Sequence, residues 1–191
     1  MAKSYITGPS DHRTIKSLVI HLVILAFLML PTVPSIAGTI PSSGTVEVFF
    51  SPRGGATEAV TQEIAAAKDE ILIQAYGFTS KPIAKALLDA GKRGVKIEAV
   101  LDKSNATVKY SAATFISHAG IPVLIDDKHT IAHNKIMIID RETLITGSFN
   151  FTAAAEKNAE NLLVIKRNKP LVEKYISNFE LHKGHSVQYS R

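Results

Sequence analysis

Apolar residues after position 44 follow two spacings in turn. Short apolar or alternating runs predict strands, and apolar residues three and four positions apart predict helices. The predicted strands are Thr45–Phe50, Glu70–Tyr76, Val95–Leu101, Ile121–Ile125, Ala132–Ile139, Leu144–Phe149 and Leu162–Lys166. The predicted helices are Thr57–Lys68, Ser80–Ala90, Val108–Ala119, Thr152–Asn158 and Pro170–Lys183. This order predicts an α/β domain over residues 45–191, with a mixed central β-sheet flanked by helices on both faces.

The first 37 residues have a different character. Lys3, Arg13 and Lys16 precede a thirteen-residue run over 18–30 that is apolar except for His21, and Ser35-Ile36-Ala37 matches a small-x-small cleavage site. We expect a secretory signal peptide over 1–37 and a flexible lead-in over 38–44. The alternative is an uncleaved anchor, but the run is shorter than the roughly twenty residues of a spanning helix. The protein is therefore expected in the periplasm or secreted, without stable membrane insertion of the mature chain.

Net charge and cysteine content restrict which substrates and which kinds of catalytic site are compatible with the chain. The chain carries a net charge of +5, and cleavage after Ala37 removes three basic residues and one acidic residue, leaving +3. Such mild basicity is compatible with a polyanionic substrate. The chain contains no cysteine, which excludes thiolate catalysis and any zinc site built on cysteine.

Polar residues stand among strand-forming residues between 131 and 165. Ala132–Ile139 and Leu144–Phe149 predict a hairpin joined by 141–143. Because side chains alternate across a strand, His133 and Lys135 share one face, and Ser148 and Asn150 share a parity on the returning strand. An imidazole, an ammonium, a hydroxyl and an amide can converge there, which suits a phosphoryl group.

The order His133-x-Lys135-x4-Asp140-x6-Gly147-Ser148-x-Asn150, followed by Glu160, resembles the signature of the phospholipase D superfamily. Within that superfamily the match is nearest to small, plasmid-encoded, secreted bacterial endonucleases that carry one copy of the motif. The resemblance implies a sandwich of a central sheet between helices. It also implies that His133 forms a phosphohistidine and that Glu160 orients it.

The remaining motif residues divide into two groups. The resemblance implies that Lys135 and Asn150 hold phosphate oxygens, and that Ser148 donates to the phosphate or supports its neighbours. Asp140 has the opposite strand parity to His133, so we interpret it as structural, tying the hairpin turn through Arg141 or backbone amides. Gly147 belongs to the motif.

A second histidine is needed to protonate the leaving group, and the chain has one motif copy. We expect a homodimer in which His133 of both subunits meets at a two-fold axis. The competing candidate is His129, in a predicted loop; His118, His182 and His185 are interpreted as surface residues. A metal set of Asp126, Asp127, His129 and His133 is disfavoured, because His-x3-His spacing needs a helix. We therefore expect no metal and no cofactor.

The sequence defines the substrate less closely than it defines the reaction. Three lysines and two aromatic residues follow strand or loop ends, where they would form a basic rim around the site: Lys103, Lys109, Lys157, Tyr76 and Phe78. The alternative is that the lysines are ordinary solvated residues and the aromatics belong to the core. The expected function is an exported, metal-independent phosphodiesterase, in the first place a nonspecific endonuclease on DNA, with RNA left open. The alternatives are a phospholipase D acting on headgroups and a non-catalytic nucleic-acid-binding or conjugation-accessory protein.

Overall fold

The computed structural model describes residues 39–107 and 112–190. Its strands are β1 (Thr45–Ser51), β2 (Glu70–Ala75), β3 (Lys96–Asp102), β4 (Val123–Asp126), β5 (Lys135–Ile139), β6 (Thr143–Gly147), β7 (Glu160–Lys166) and β8 (Val187–Gln188). Its helices are α1 (Ala56–Ala66), α2 (Lys81–Lys92), α3 (Ser104–Thr107), α4 (Ala112–His118) and α5 (Lys169–His185), with a 3-10 turn at Ala155–Lys157. The predicted signal peptide lies outside the described residues.

All eight strands form one sheet in the order β1-β7-β6-β5-β2-β3-β4-β8. Strands β2, β3 and β4 are parallel to one another, and every other neighbouring pair is antiparallel. The parallel strands are joined by crossovers that contain α2 and α4. The mixed sheet predicted from the sequence is therefore confirmed.

Each face of the sheet carries its own apolar layer. One layer joins alternate strand residues such as Ile71, Ile73 and Met137 to α1, α2 and α4. The other joins Leu72, Val100, Ile138 and Leu144 to Val172, Ile176 and Phe179 of α5. Strands covered on both faces are continuously apolar, as β5 is after its first residue, Lys135. Helices on both faces, predicted from the alternation, are confirmed.

Several predicted boundaries were wrong. The hairpin strands begin at Lys135 and end at Gly147, so His133, Ser148 and Asn150 lie beyond the strands and not on them. The short helix predicted from Thr152 is only the 3-10 turn, which begins where the Ala155 amide donates to Thr152 Oγ1. Helix α5 continues through Gly184 to His185, and the two-residue strand β8 was not predicted.

Candidate active site

One end of the sheet gathers most of the motif. Because β5 runs against β2, the beginning of β5 lies beside the end of β2, and the end of β6 lies beside the beginning of β7. Lys135 opens β5, Gly147 closes β6 and Glu160 opens β7. The ends of the parallel strands β2, β3 and β4 meet at this same edge, where α/β proteins usually place their sites.

The turn Tyr76-Gly77, directly after β2, is the centre of the site. The His133 ring lies 4.6 Å from the Tyr76 ring, centroid to centroid, and Lys135 Nζ lies 5.2 Å from the same ring. Asn150 lies close to the same turn, since a Cβ built on Gly77 would be 3.6 Å from Asn150 Oδ1. The imidazole, the ammonium and the amide therefore all lie near one short turn.

The ammonium group of Lys135 is largely buried from solvent. Its residue is 8% exposed, and Nζ donates to the His133 carbonyl oxygen over 2.8 Å. Burial lowers the pKa of Lys135 from its ordinary value, and the negative charge of Glu160 opposes that change. A cation at low dielectric beside a solvent-exposed imidazole is suited to hold a phosphate oxygen next to a nucleophile.

His133 itself is exposed, and within the described residues neither ring nitrogen has a hydrogen-bond partner. Glu160, expected to orient it, makes no hydrogen bond to the imidazole in the described residues: its Oε1 accepts from Asn158 Nδ2 over 3.2 Å, and its charge acts on Lys135. Asn158 is fixed by its carbonyl, which accepts from the buried Ser51 hydroxyl over 2.9 Å. The structure thus joins Glu160 to Lys135 rather than to the imidazole.

The residues after β6 are shaped by close backbone packing. A Cβ at Gly147 would lie 2.3 Å from the Asn161 carbonyl oxygen, so only glycine fits there. That oxygen accepts from the Ser148 and Phe149 amides, and Ser148 Oγ accepts from the Asn161 amide over 3.0 Å. Ser148 therefore supports the β6–β7 junction. Asn150 Oδ1 is buried without a partner, which marks an unfilled polar position.

Asp140 lies at the opposite end of β5. Its carboxylate accepts from the backbone amides of Lys68, Asp69 and Glu70 over 2.8–3.0 Å, while the neighbouring Arg141 pairs with Glu70. Burial raises its pKa, but these amide hydrogen bonds outweigh burial and leave the pKa below its ordinary value. This geometry is that of a residue joining the hairpin turn to the α1–β2 connection.

The predicted basic rim is only partly described. Lys103 and Lys157 are exposed, and Lys103 Nζ donates to the His129 carbonyl oxygen over 2.9 Å. Lys109 lies outside the described residues. Phe78 is fully buried and packs edge-on against Phe151, so of the two alternatives left open it is a core aromatic. Tyr76 instead lies beneath His133 and Lys135.

The other histidines form a separate cluster. His129 and His182 each place Nδ1 within 2.9 Å of the Asp126 carboxylate, and His185 Nε2 lies 3.3 Å from it. Interpreting His182 and His185 as surface residues was wrong, because the side chain of His182 is 12% exposed and that of His185 is 29% exposed. His118 is exposed at the end of α4. Burial alone would raise the pKa of Asp126, but the histidine hydrogen bonds hold it well below its usual range.

Two supports of the site carry no motif signal. Asp102, at the end of β3, accepts from the Ala132 amide over 2.8 Å, and the Tyr76 amide donates to the Asn134 carbonyl over 2.8 Å. Asp102 is 3% exposed. A charged residue that ends an apolar strand run is the one sequence feature that could have indicated this role.

In the described ranges, no helix has the length and apolar character needed to cross a bilayer.

Comparisons with known proteins agree on one family. Residues 60–183 match the family described as cardiolipin synthase, PLD-like domain. A phospholipase D of Rickettsia felis is 45% identical over 135 residues, which cover 70% of this chain and 67% of that protein. The structure of Nuc, a phospholipase D family member from Salmonella typhimurium, has a TM-score of 0.75 and 38% identity, covering 78% of this chain and all of that one. NucT from Helicobacter pylori, at 23% identity with a TM-score of 0.71, shares the fold over 77% of this chain and all of that one.

Proposed function

The chain belongs to the phospholipase D-like family and is a phosphodiesterase of that superfamily, and on this premise we propose that it is a metal-independent endonuclease acting on DNA. The observation that carries the proposal is the pairing of an exposed imidazole with a buried ammonium on one tyrosine ring. The Lys135 ammonium and the amide donors of Asn150 suit an anion beside the His133 imidazole, and an ammonium cannot coordinate the hard divalent cations of metal nucleases.

The reaction we propose has two steps. A His133 ring nitrogen attacks phosphorus, the bond to the leaving oxygen breaks, and that oxygen takes a proton from an acid. Water then attacks the phosphohistidine and gives its proton to the group that served as the acid in the first step, and the N–P bond breaks to release His133. Lys135 and Asn150 hold the non-bridging oxygens in both steps. Glu160 acts by keeping Lys135 charged, since its negative charge opposes the effect of burial on that ammonium.

DNA is favoured over a lipid by the form of the surface. His133, Lys103 and Lys157 are all exposed and lie at, or near, the same end of the sheet. An open imidazole beside exposed cations can take a phosphate in the middle of a long polyanion without reading bases. The relatives named phospholipase D favour the second candidate, a phospholipase D acting on lipid headgroups.

One experiment separates the two substrates. The purified protein is incubated with plasmid DNA, RNA and phosphatidylcholine vesicles side by side in EDTA, with circular dichroism recorded in the same buffer. We expect DNA cleavage that persists in EDTA and falls steeply with salt, because phosphate contacts release counterions. Activity that a folded protein loses in EDTA and regains with magnesium would overturn the metal-independent mechanism. Vesicle turnover with a flat salt response would instead support the phospholipase.

The acid for the leaving group is proposed to come from a second copy of the chain. Of the five histidines in the described part of the chain, only His133 lies at the Tyr76 turn, because His129, His182 and His185 lie around Asp126 and His118 ends α4. A homodimer with His133 of both subunits at its two-fold axis supplies nucleophile and acid together. The loops that carry His133 and Asn150 would lie at that interface.

Subunit mixing tests the shared site. Equal amounts of wild-type and His133→Ala protein are allowed to exchange, which leaves about one quarter of the dimers fully wild-type. Activity per wild-type chain should fall to about half. In the control mix with His118→Ala, at an exposed histidine, both kinds of chain are active, so activity per total chain should stay unchanged. A light-scattering monomer that is fully active would contradict the dimer and would require an acid within one chain.

Export is the remaining part of the proposal. We propose that residues 1–37 direct the chain out of the cytoplasm and are removed after Ala37, so that residues 45–191 act as the catalytic domain beyond a short lead-in. N-terminal sequencing of the protein recovered from the periplasm or medium should begin at Gly38. Recovery of uncleaved chain in the membrane fraction would support an anchor instead.

A further inference from the structure

Four side chains converge on a point away from the proposed active site. They are Asp126, His129, His182 and His185, and one ligand atom from each lies within 4.8 Å of all the others. The Asp126 carboxylate has no exposure to solvent, and its Oδ2 is 2.9 Å from His129 Nδ1 and 2.7 Å from His182 Nδ1. Three imidazoles around one buried carboxylate form a set of nitrogen and oxygen donors directed inward.

The fold brings these residues together from distant parts of the sequence. Strand β8 pairs with β4, with Val187 opposite Ile125, so the chain leaving α5 passes directly beside Asp126. His182 and His185 are three residues apart on the last turn of α5 and so lie on one helix face. The three imidazole rings are 4.7–5.3 Å apart, centroid to centroid.

Hydrogen bonding within the cluster does not use all of its donors. His185 Nε2 is buried and has no hydrogen-bond partner, although it lies 3.3 Å from Asp126 Oδ2. A buried ring nitrogen without a partner carries a desolvation cost that the fold leaves uncompensated. A cation at the centre of the cluster would supply the missing partner and would also balance the buried carboxylate charge.

From this geometry we infer a metal site in which Asp126, His129, His182 and His185 bind a divalent transition metal, with zinc as the favoured ion. Zinc takes imidazole nitrogen and carboxylate oxygen in tetrahedral sets, whose ligand atoms lie about 3.3 Å apart for bonds of about 2.0–2.1 Å. The separations in the cluster, from 2.7 to 4.8 Å, bracket that value. On binding, each coordinating nitrogen must be free of its proton, so His129 and His182 would keep a ring proton on Nε2.

The site is structural rather than part of the hydrolysis. Four protein ligands complete a tetrahedron and leave no position for water or substrate. Strand β4 is separated from β5 by β2 and β3, three strand spacings or about 14 Å, so the ion would not touch the phosphate at Lys135. The set also differs from Asp126, Asp127, His129 and His133, because two of its ligands come from α5.

Zinc titration of the full chain tests the inference. Protein stripped with EDTA and desalted is titrated with ZnCl2 by calorimetry, and cobalt is used as a visible-absorption probe of tetrahedral geometry. We expect one zinc per chain and an unfolding temperature raised by about 5–10 °C at a zinc concentration about 100 times the dissociation constant. His185→Gln should weaken binding at least tenfold and remove most of that rise.

The controls separate a bound ion from a general effect of histidine loss. His118→Gln, at an exposed histidine outside the cluster, should bind zinc as tightly as the wild type. His129→Asn, at the most exposed of the three ligands, provides a second variant should His185→Gln fold poorly. Wild-type protein that binds no stoichiometric zinc, or cluster variants that bind it unchanged, would overturn the inference. Activity in EDTA is a separate readout, because the proposed hydrolysis uses no metal.

Discussion

Replacing Asp140 by asparagine tests whether this motif residue serves the fold or the chemistry. Its two carboxylate oxygens accept three backbone amides from the α1–β2 connection. Its φ of 51° lies in the left-handed region, which asparagine tolerates well. The substitution therefore keeps the backbone conformation and one acceptor oxygen while removing the charge and the second acceptor.

The hydrogen bonds of Asp140 determine how much free energy of unfolding its replacement should cost. A hydrogen bond to a charged acceptor contributes about 1.5–3 kcal/mol, but the Lys68 and Asp69 amides are near solvent and can regain water. We therefore expect Asp140→Asn to lower the free energy of unfolding by about 2 kcal/mol. Asp140→Ala should lower it by about 3 kcal/mol, because alanine adds the cost of the left-handed conformation.

Urea unfolding at pH 7 and pH 3 measures the effect and its sign. Folding lowers the pKa of Asp140 below its ordinary value of 3.8, so its stabilisation is present above that pH and is lost as the pH falls through the folded-state pKa. The difference between wild type and Asp140→Asn should thus shrink at pH 3. Asp89→Asn is the control, because Asp89 is an exposed carboxylate paired with Lys85 on α2 and should change little.

The active site should not respond to this change. Asp140 is separated from Lys135 by the length of β5, about 17 Å for five residues. Folded Asp140→Asn protein should therefore keep its turnover number. Unchanged stability at pH 7, or normal unfolding with lost activity, would refute the structural interpretation.

Two further changes probe the site directly. Glu160→Gln removes the negative charge that opposes the lowering of the Lys135 pKa by burial, so Lys135 should lose its proton at lower pH. The alkaline limb of the kcat/KM profile should therefore move to lower pH, and a limb that does not move would contradict this coupling. Gly77→Ala places a methyl group 3.6 Å from Asn150 Oδ1 and 3.0 Å from the Thr152 methyl, so activity should fall at least tenfold. Gly91→Ala on α2, whose methyl would make only an ordinary contact of 3.8 Å with Ile97, should leave activity intact.

The sequence predicted the sheet and its flanking helices because apolar periodicity reports burial on each face. The structural interpretation of Asp140 agrees with its amide contacts, although Asp140 follows the last residue of β5 and strand parity therefore does not apply to it. The strand placement behind the parity argument was wrong for His133, which precedes β5, although its ring still lies near Lys135 at the Tyr76 ring. It was wrong again for Ser148, because β6 ends at Gly147 and the hydroxyl turns to the Asn161 amide.

The histidine cluster could not be predicted from local pattern. Asp126 and His182 are 56 positions apart, and they meet only because the two-residue strand β8 returns beside β4. So short a strand gives no periodicity to detect. Gly184, which predicted the end of α5, lies inside the helix, so His185 stays on the same face as His182.

The position of His133 follows from how the chain crosses the end of the sheet. After β4 the chain must pass β3 and β2 to reach β5, and residues 127–134 make this crossing without regular structure. Each strand end holds one point of the crossing: Asp126 of β4 holds the His129 ring, Asp102 of β3 holds the Ala132 amide, and the Tyr76 amide after β2 holds the Asn134 carbonyl. Because anchors lie on both sides of His133, the fold fixes its backbone while leaving its ring open to substrate. The strand ends therefore locate the proposed nucleophile, and the motif spacing alone does not.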